Sequence, residues 1–156
     1  MDAVAGVSSL GITLSYGVET TAGEKPATFT ILHRINDIGE ISIDPEKIDA
    51  SALEDSTTKY ISGRSDVSDT WTVTVNETND TITEWETLIS AYFALTGGKK
   101  MWFQVINPDI TKAQFVKAAP PAKLPLSAKA QNELSTMAIN LTLEDYIGYD
   151  TKVTPS

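Results

Sequence analysis

Thr70-Trp71-Thr72-Val73-Thr74-Val75-Asn76 decides the fold class, because three large apolar residues alternate with four short polar ones. That period of two belongs to a strand with one face buried and the other in contact with water. Upstream, Ile38, Ile41 and Ile43 carry another strand signal. Between the two lies a long charged stretch, Asp44 to Asp69, with neither helical nor strand periodicity. Compact domains rarely contain a connection of that length unless it forms a binding surface, a lid or an insert. The expectation is therefore a β domain presenting a long inter-strand loop, residues 45–68, that meets other protein surfaces.

Downstream of the strand comes a helix signal. Thr81 is placed to cap and Glu84 to reach back to it, and Ile82, Trp85, Leu88, Ile89, Tyr92 and Leu95 then recur at spacings of three and four. Ile82, Trp85, Ile89 and Tyr92 are the expected core of that helix, and Gly97-Gly98 stops it. Lys99–Ile106 and Thr111–Ala118 read as two strands around a turn at Asn107-Pro108-Asp109, followed by a proline-rich connector, residues 120–125. A last strand runs from Leu134 to about Asp145 with Met137, Ile139, Leu141 and Leu143 facing inward. Before the loop, Thr28 to Asn36 reads as one strand, Asn36-Asp37 as a turn, and Ile38 to Ile43 as a strand ended by Pro45. Residues 1–27, with a turn-rich end and little to form a core, read as an extended N-terminal arm. The expected organisation is that arm, a domain over 28–146, and a C-terminal tail over 147–156. The fold class is mainly β (α+β): an antiparallel β-sandwich or partial barrel flanked by one α-helix.

Composition narrows the function. A chain of 156 residues with 41% hydrophobic content can bury a core of its own. Twelve basic against twenty-one acidic residues give a net charge of -9, which disfavours a general nucleic-acid binder and anionic membrane surfaces. No cysteine is present, so disulfides, thiol chemistry and thiolate-held metals are excluded. Met1 to Gly17 has small and apolar residues but no basic leader, and no run reaches the roughly 20 apolar residues a membrane span requires. Synthesis in the cytoplasm and no membrane partner are the expectation.

Catalytic and metal residues are expected to be none, and cofactors none. The single histidine, His33, lies within a strand signal, where a hydrogen-bonded rim residue is the ordinary reading. Glu54 with Asp55, Asp66 with Asp69, and Glu84 with Glu86 are carboxylate pairs of the kind glycoside hydrolysis uses, yet loop acids are usually just solvated. Gly97-Gly98-Lys99-Lys100 follows a helix, whereas a phosphate loop precedes one. The outward strand positions are more telling. Thr70, Thr72, Thr74 and Asn76 on one strand, Ala138, Asn140, Thr142 and Glu144 on another, and Glu40, Ser42 and Asp44 on a third include no Lys or Arg.

In this arrangement the chain resembles the tail tube proteins of tailed bacteriophages, the major tail protein of long non-contractile tails in particular. The residues that carry the resemblance are Ile38-Gly39-Glu40 entering a strand, Ile48-Asp49-Ala50-Ser51-Ala52-Leu53-Glu54-Asp55 in the loop, and Lys59-Tyr60-Ile61-Ser62-Gly63 before the Trp71 strand. The resemblance implies six-fold rings stacked into a tube, the conduit for DNA during genome delivery, in a virion tail made in the host bacterial cytoplasm. It implies the chain itself as first partner, with tail tip, tape-measure and tail terminator proteins beside it. Glu40, Ser42, Thr70, Thr72, Thr74, Asn76, Asn140 and Thr142 would then face the lumen, and Asp49, Leu53, Tyr60, Ile61 and Arg64 would meet a neighbouring subunit. DNA would pass without specific binding, since a wall lacking cations does not trap phosphates. The alternative is a non-polymerising acidic β-sandwich that recognises a protein or glycan through its 44–69 loop.

Overall fold

The computed structural model describes residues 11–49, 60–67 and 70–155, with 44–49 and 60–67 described by backbone alone. In chain order the strands are β1 (Thr13–Val18), β2 (Thr30–Leu32), β3 (Ile35–Ile38), β4 (Ile43–Asp49), β5 (Tyr60–Val67), β6 (Thr70–Asn76), β7 (Met101–Ile106), β8 (Lys112–Ala119) and β9 (Thr136–Thr151). One helix, α1 (Asn79–Phe93), separates β6 from β7. Seven strands form an antiparallel sheet in the order β2-β1-β7-β8-β9-β6-β3, and β4 and β5 form a second sheet of their own.

The alternation in β6 is realised in its burial. Trp71, Val73 and Val75 are buried, while Thr70, Thr72, Thr74 and Asn76, which alternate with them, are exposed or half-buried. β9 pairs with β6 from Thr136 to Thr142 and adds Met137, Ile139 and Leu141 to the same interior. Leu14, Leu32, Met101, Phe103, Val116 and Ala118 complete that core from the other strands, and α1 covers it with Trp85, Leu88 and Ile89. Trp71 packs edge-on against Phe103 at a centroid distance of 5.6 Å and donates its Nε1–H to the Gly39 carbonyl at 2.9 Å.

The sheet curls for a covalent reason. β2 and β3 are its two edges, yet only His33 and Arg34 lie between them in the chain. From Leu32 to Ile35 an extended chain spans at most about 11 Å. The edges must therefore approach each other, and Arg34 makes the corner with a left-handed φ of 60°. No ladder joins β2 to β3, so the sheet is a curled, open one and not a closed barrel.

Several local expectations are corrected. The helix begins earlier than Thr81: Thr78 is the N-cap, accepting from the Thr81 N–H at 3.1 Å, while the Thr81 hydroxyl accepts from the Thr78 N–H at 2.9 Å. Thr81 is thus the third helical residue and is buried, and Glu84 is left to reach His33 instead. The expected single strand from Thr28 to Asn36 is broken by the Arg34 corner into β2 and β3, so Asn36 and Asp37 lie in a strand and not in a turn. The segment 39–42 is irregular, and the next strand starts at Ile43.

The charged stretch expected to be unstructured is largely a hairpin, with β4 and β5 in antiparallel register from Ile43 opposite Val67 to Asp49 opposite Tyr60. Pro45 does not end the strand. The register shifts between Pro45 and Lys47, and an irregularity of this kind tolerates a residue without an N–H. Within the expected N-terminal arm, residues 13–18 form β1, an interior strand paired on both sides, with Leu14 fully buried. Within the expected C-terminal tail, β9 continues to Thr151 along β8. Its 16 residues serve two neighbours in turn, β6 with the first half and β8 with the second.

Candidate functional site

Side chains pointing away from the main core divide the outer face of the sheet into two regions. Across β1, β7 and β8 this face is apolar and covered: Phe29, Trp102, Ala113 and Phe115 form a second buried cluster, with Val153 packed against it. Gln104 fastens Val153 there, donating to its carbonyl at 2.8 Å and accepting from its N–H at 2.9 Å. Across β6 and β9 the same face is polar and open. The register sets Thr70 opposite Thr142, Thr72 opposite Asn140, Thr74 opposite Ala138 and Asn76 opposite Thr136. The Thr72 hydroxyl donates to Asn140 Oδ1 at 2.7 Å, so the patch is internally bonded as well as hydrated.

Of the residues expected to share a polar wall, the structure brings together Thr70, Thr72, Thr74, Asn76, Asn140 and Thr142. Glu40 and Ser42 are bonded to each other at 3.1 Å in the irregular 39–42 segment, whose Gly39 N–H donates to the Thr72 carbonyl at 2.7 Å. Glu40 also borders a cleft of about 480 Å³ with Ile12, Ile35, Ile38, Ile41 and Val105. In the hairpin, Asp49 and Tyr60 are register partners, Ile61 stands opposite Ile48, and Arg64 lies within β5. Leu53, Glu54, Asp55 and Asp69 lie outside the described residues.

The lysines bordering the outer face each meet a carboxylate. Lys100 Nζ donates to Glu144 Oε2 at 2.6 Å, Lys117 Nζ lies 3.8 Å from Glu19 Oε2, and Lys25 Nζ lies 3.7 Å from Asp150 Oδ2. The Glu144 hydrogen bond and charge raise the Lys100 pKa above the ordinary lysine value. Glu19, which directly follows β1, was not singled out by sequence. Its side chain is fully buried. Burial pushes its carboxyl up, but hydrogen bonds from Trp102, Lys100 and Gly23 and the Lys117 charge prevail and hold it below the usual range.

His33 and Glu84 are the titratable pair closest to a catalytic arrangement. They border a cleft of about 600 Å³ with Arg34, Thr78, Asp80, Thr81 and Thr83. The hydroxyls there are committed to the backbone: Thr78 and Thr81 to the helix cap, Thr81 also to the Asn76 carbonyl at 2.7 Å, and Thr83 to the Asn79 carbonyl at 3.0 Å. Glu84 accepts from both the backbone N–H and the ring of His33, which ties the β2–β3 corner to α1. Among the described residues no three His, Cys, Asp or Glu side chains converge as a metal site. No described helix is long and apolar enough to cross a membrane.

No protein-family model and no curated protein matches this sequence. Solved structures do. One is a chain from the tail of an empty GTA particle computed with helical refinement and C6 symmetry: 14% identity, 90% of this chain and 95% of that chain covered, TM-score 0.54. This chain has the same fold. Another is a chain of the anti-feeding prophage (AFP) baseplate, 6-fold symmetrised, from cryo-electron microscopy: 9% identity, 86% of this chain and 89% of that chain covered, TM-score 0.50. At such identities the likeness is one of fold, and function has to be argued from the surfaces.

Proposed function

We propose that this chain is a structural, non-catalytic subunit of a phage-type tail that self-associates into six-fold rings, and that the rings stack into a tube through which DNA passes. The observation that carries the reading is the fold likeness to a C6-symmetric tail chain over 90% of this chain and 95% of that one. Because nearly the whole of each chain takes part, the likeness is not that of a small motif shared by unrelated proteins.

The outer face supports it physically. The patch on β6 and β9 consists of threonine, asparagine and alanine, and the lysines around it are paired with carboxylates. Free cations would hold phosphates by releasing their counterions, whereas a neutral wall lets the polymer slide. The β4–β5 hairpin, a sheet separate from the main one, is the element we assign to contact with a neighbouring subunit. Tail tip, tape-measure and tail terminator proteins would be the further partners, and the virion tail the location.

The test is the mass of the purified protein by light scattering over a wide concentration range. The reading predicts species at six times the 16.9 kDa subunit mass and larger multiples of that ring. A ligand-binding protein that does not polymerise would remain at the subunit mass throughout.

A further inference from the structure

Residues 19–27 leave β1 and return toward β2; the Glu19 N–H still donates to the Lys100 carbonyl at 3.1 Å, and residues 20–27 join no ladder. They are held by a few anchors. At one end, Glu19 Oε1 accepts from the Lys100 N–H at 2.7 Å and Oε2 from the Trp102 indole N–H at 2.9 Å. The Gly23 N–H also donates to this carboxylate, which closes the segment on itself. At the other end, Lys25 donates to the Thr151 carbonyl at 2.6 Å, faces Asp150, and lies over the Phe115 ring at 4.1 Å. Beyond it Pro26 is buried. Gly17 in β1 has no side chain where one would collide with the returning chain: a Cβ there would lie 2.5 Å from the Thr28 carbonyl.

Every group around the Glu19 carboxylate is a donor. Lys100, just before β7, supplies its N–H, β7 supplies the Trp102 indole, β8 supplies Lys117 Nζ, which also lies 5.2 Å over the Trp102 ring, and the segment itself supplies the Gly23 N–H. Lys100 Nζ is bonded to Glu144 of β9, and Asp145 stands opposite Lys117 in register. Only an ionised carboxylate satisfies such a site, since a proton on it, or a glutamine amide, would aim a donor at a donor.

We propose that residues 19–27 form a releasable strap whose latch is the ionised Glu19 carboxylate, so that neutralising it frees the strap and bares Trp102 while the seven-stranded sheet stays folded. Trp102, now 5% exposed, is the group uncovered. Acid acts on both ends at once, because the Lys25 anchor also relies on a carboxylate, that of Asp150. The Thr151 N–H and the Lys25 charge hold the Asp150 carboxyl below its ordinary value. Groups held below their ordinary values stabilise the closed strap above the unfolded carboxylate range and cease to do so as pH falls through their folded values. The strap therefore opens only as pH falls below the ordinary carboxylate range. This device does not depend on the tail reading.

Hydrogen exchange followed by NMR tests it through three hydrogens that point at the latch: the Lys100 and Gly23 amides and the Trp102 indole. In Glu19→Gln at neutral pH these should exchange about tenfold faster or more, while amides of the β6–β9 ladder keep their wild-type rates. In the wild type, acidification through and below the ordinary carboxylate range should release the same three, after correction for intrinsic exchange, before the ladder opens. Unchanged rates in Glu19→Gln would overturn the proposal, as would acceleration shared equally by the ladder. If Glu19→Gln does not fold, the acid series on the wild type decides: protection of all three until the ladder itself exchanges refutes the latch.

Discussion

Truncating Trp85 to Ala removes the largest side chain that α1 places in the core, and its cost follows from where it lies. Trp85 is fully buried, and the helix that carries it covers a curled sheet whose edges are not joined by hydrogen bonds. Losing the buried ring forfeits its transfer free energy and leaves a cavity, so the loss should be in the range of about 3–5 kcal/mol for a buried tryptophan. That is a large share of the roughly 5–15 kcal/mol by which such a domain is stable. The Trp85 Nε1 has no hydrogen-bond partner among the described residues. Trp85→Phe removes that unsatisfied donor, whose burial costs about 1–3 kcal/mol, while giving up only part of the ring contact. It should therefore stay within about 1.5 kcal/mol of wild type. The assay is urea unfolding followed by far-UV circular dichroism, at concentrations where light scattering reports a monomer and with m-values compared. A loss below about 1 kcal/mol for the alanine variant would show that α1 does not close the core as described. A loss well above about 1.5 kcal/mol for Trp85→Phe would show that removing the unpaired indole N–H does not offset the smaller ring.

Three further outcomes are expected. Gly39→Ala should cost about 1–3 kcal/mol in the same assay, because a Cβ there would lie 2.6 Å from the Thr72 carbonyl, which also accepts the Gly39 N–H at 2.7 Å. Thr72→Lys with Asn140→Lys should leave stability within roughly 1 kcal/mol, Asn140 being exposed and Thr72 half-buried, but should impede DNA delivery by particles built from the variant. Undiminished delivery would remove the β6–β9 patch from the lumen wall. Deleting residues 45–68 should leave a folded monomer with the far-UV spectrum of the main sheet and no larger species by light scattering, and rings assembled from it would refute the role given to the hairpin.

What could be read from the sequence was set by how many faces each element buries. β6 and the first half of β9 bury one face each, so Trp71, Val73 and Val75, and Met137, Ile139 and Leu141, alternate cleanly and reveal both strands and the polar patch between them. α1 carries its buried residues on one stripe and was equally legible, although its start was displaced because Thr78 and Thr81 share a reciprocal cap that a search for glutamate overlooks. β4 and β5 form a two-stranded sheet carrying Asp44, Glu46, Lys47, Asp49, Arg64 and Asp66, with a proline inside β4 and a glycine inside β5, and leave no hydrophobic period to detect. β1 is buried on both faces, Leu14 toward the main core and Ser15 toward Gln104, which obscures its alternation. The Glu19 site was illegible because its partners come from residues 100, 102 and 117, more than eighty positions away, and only the order of strands brings them together.

Self-assembly is the central claim, and electron microscopy of the purified chain with rotational averaging of end-on views tests it most directly. The account predicts rings of six-fold symmetry and hollow tubes of uniform diameter, with β6 and β9 facing the channel. Single subunits in every field, at all concentrations including those at which light scattering is saturated with protein, would contradict it.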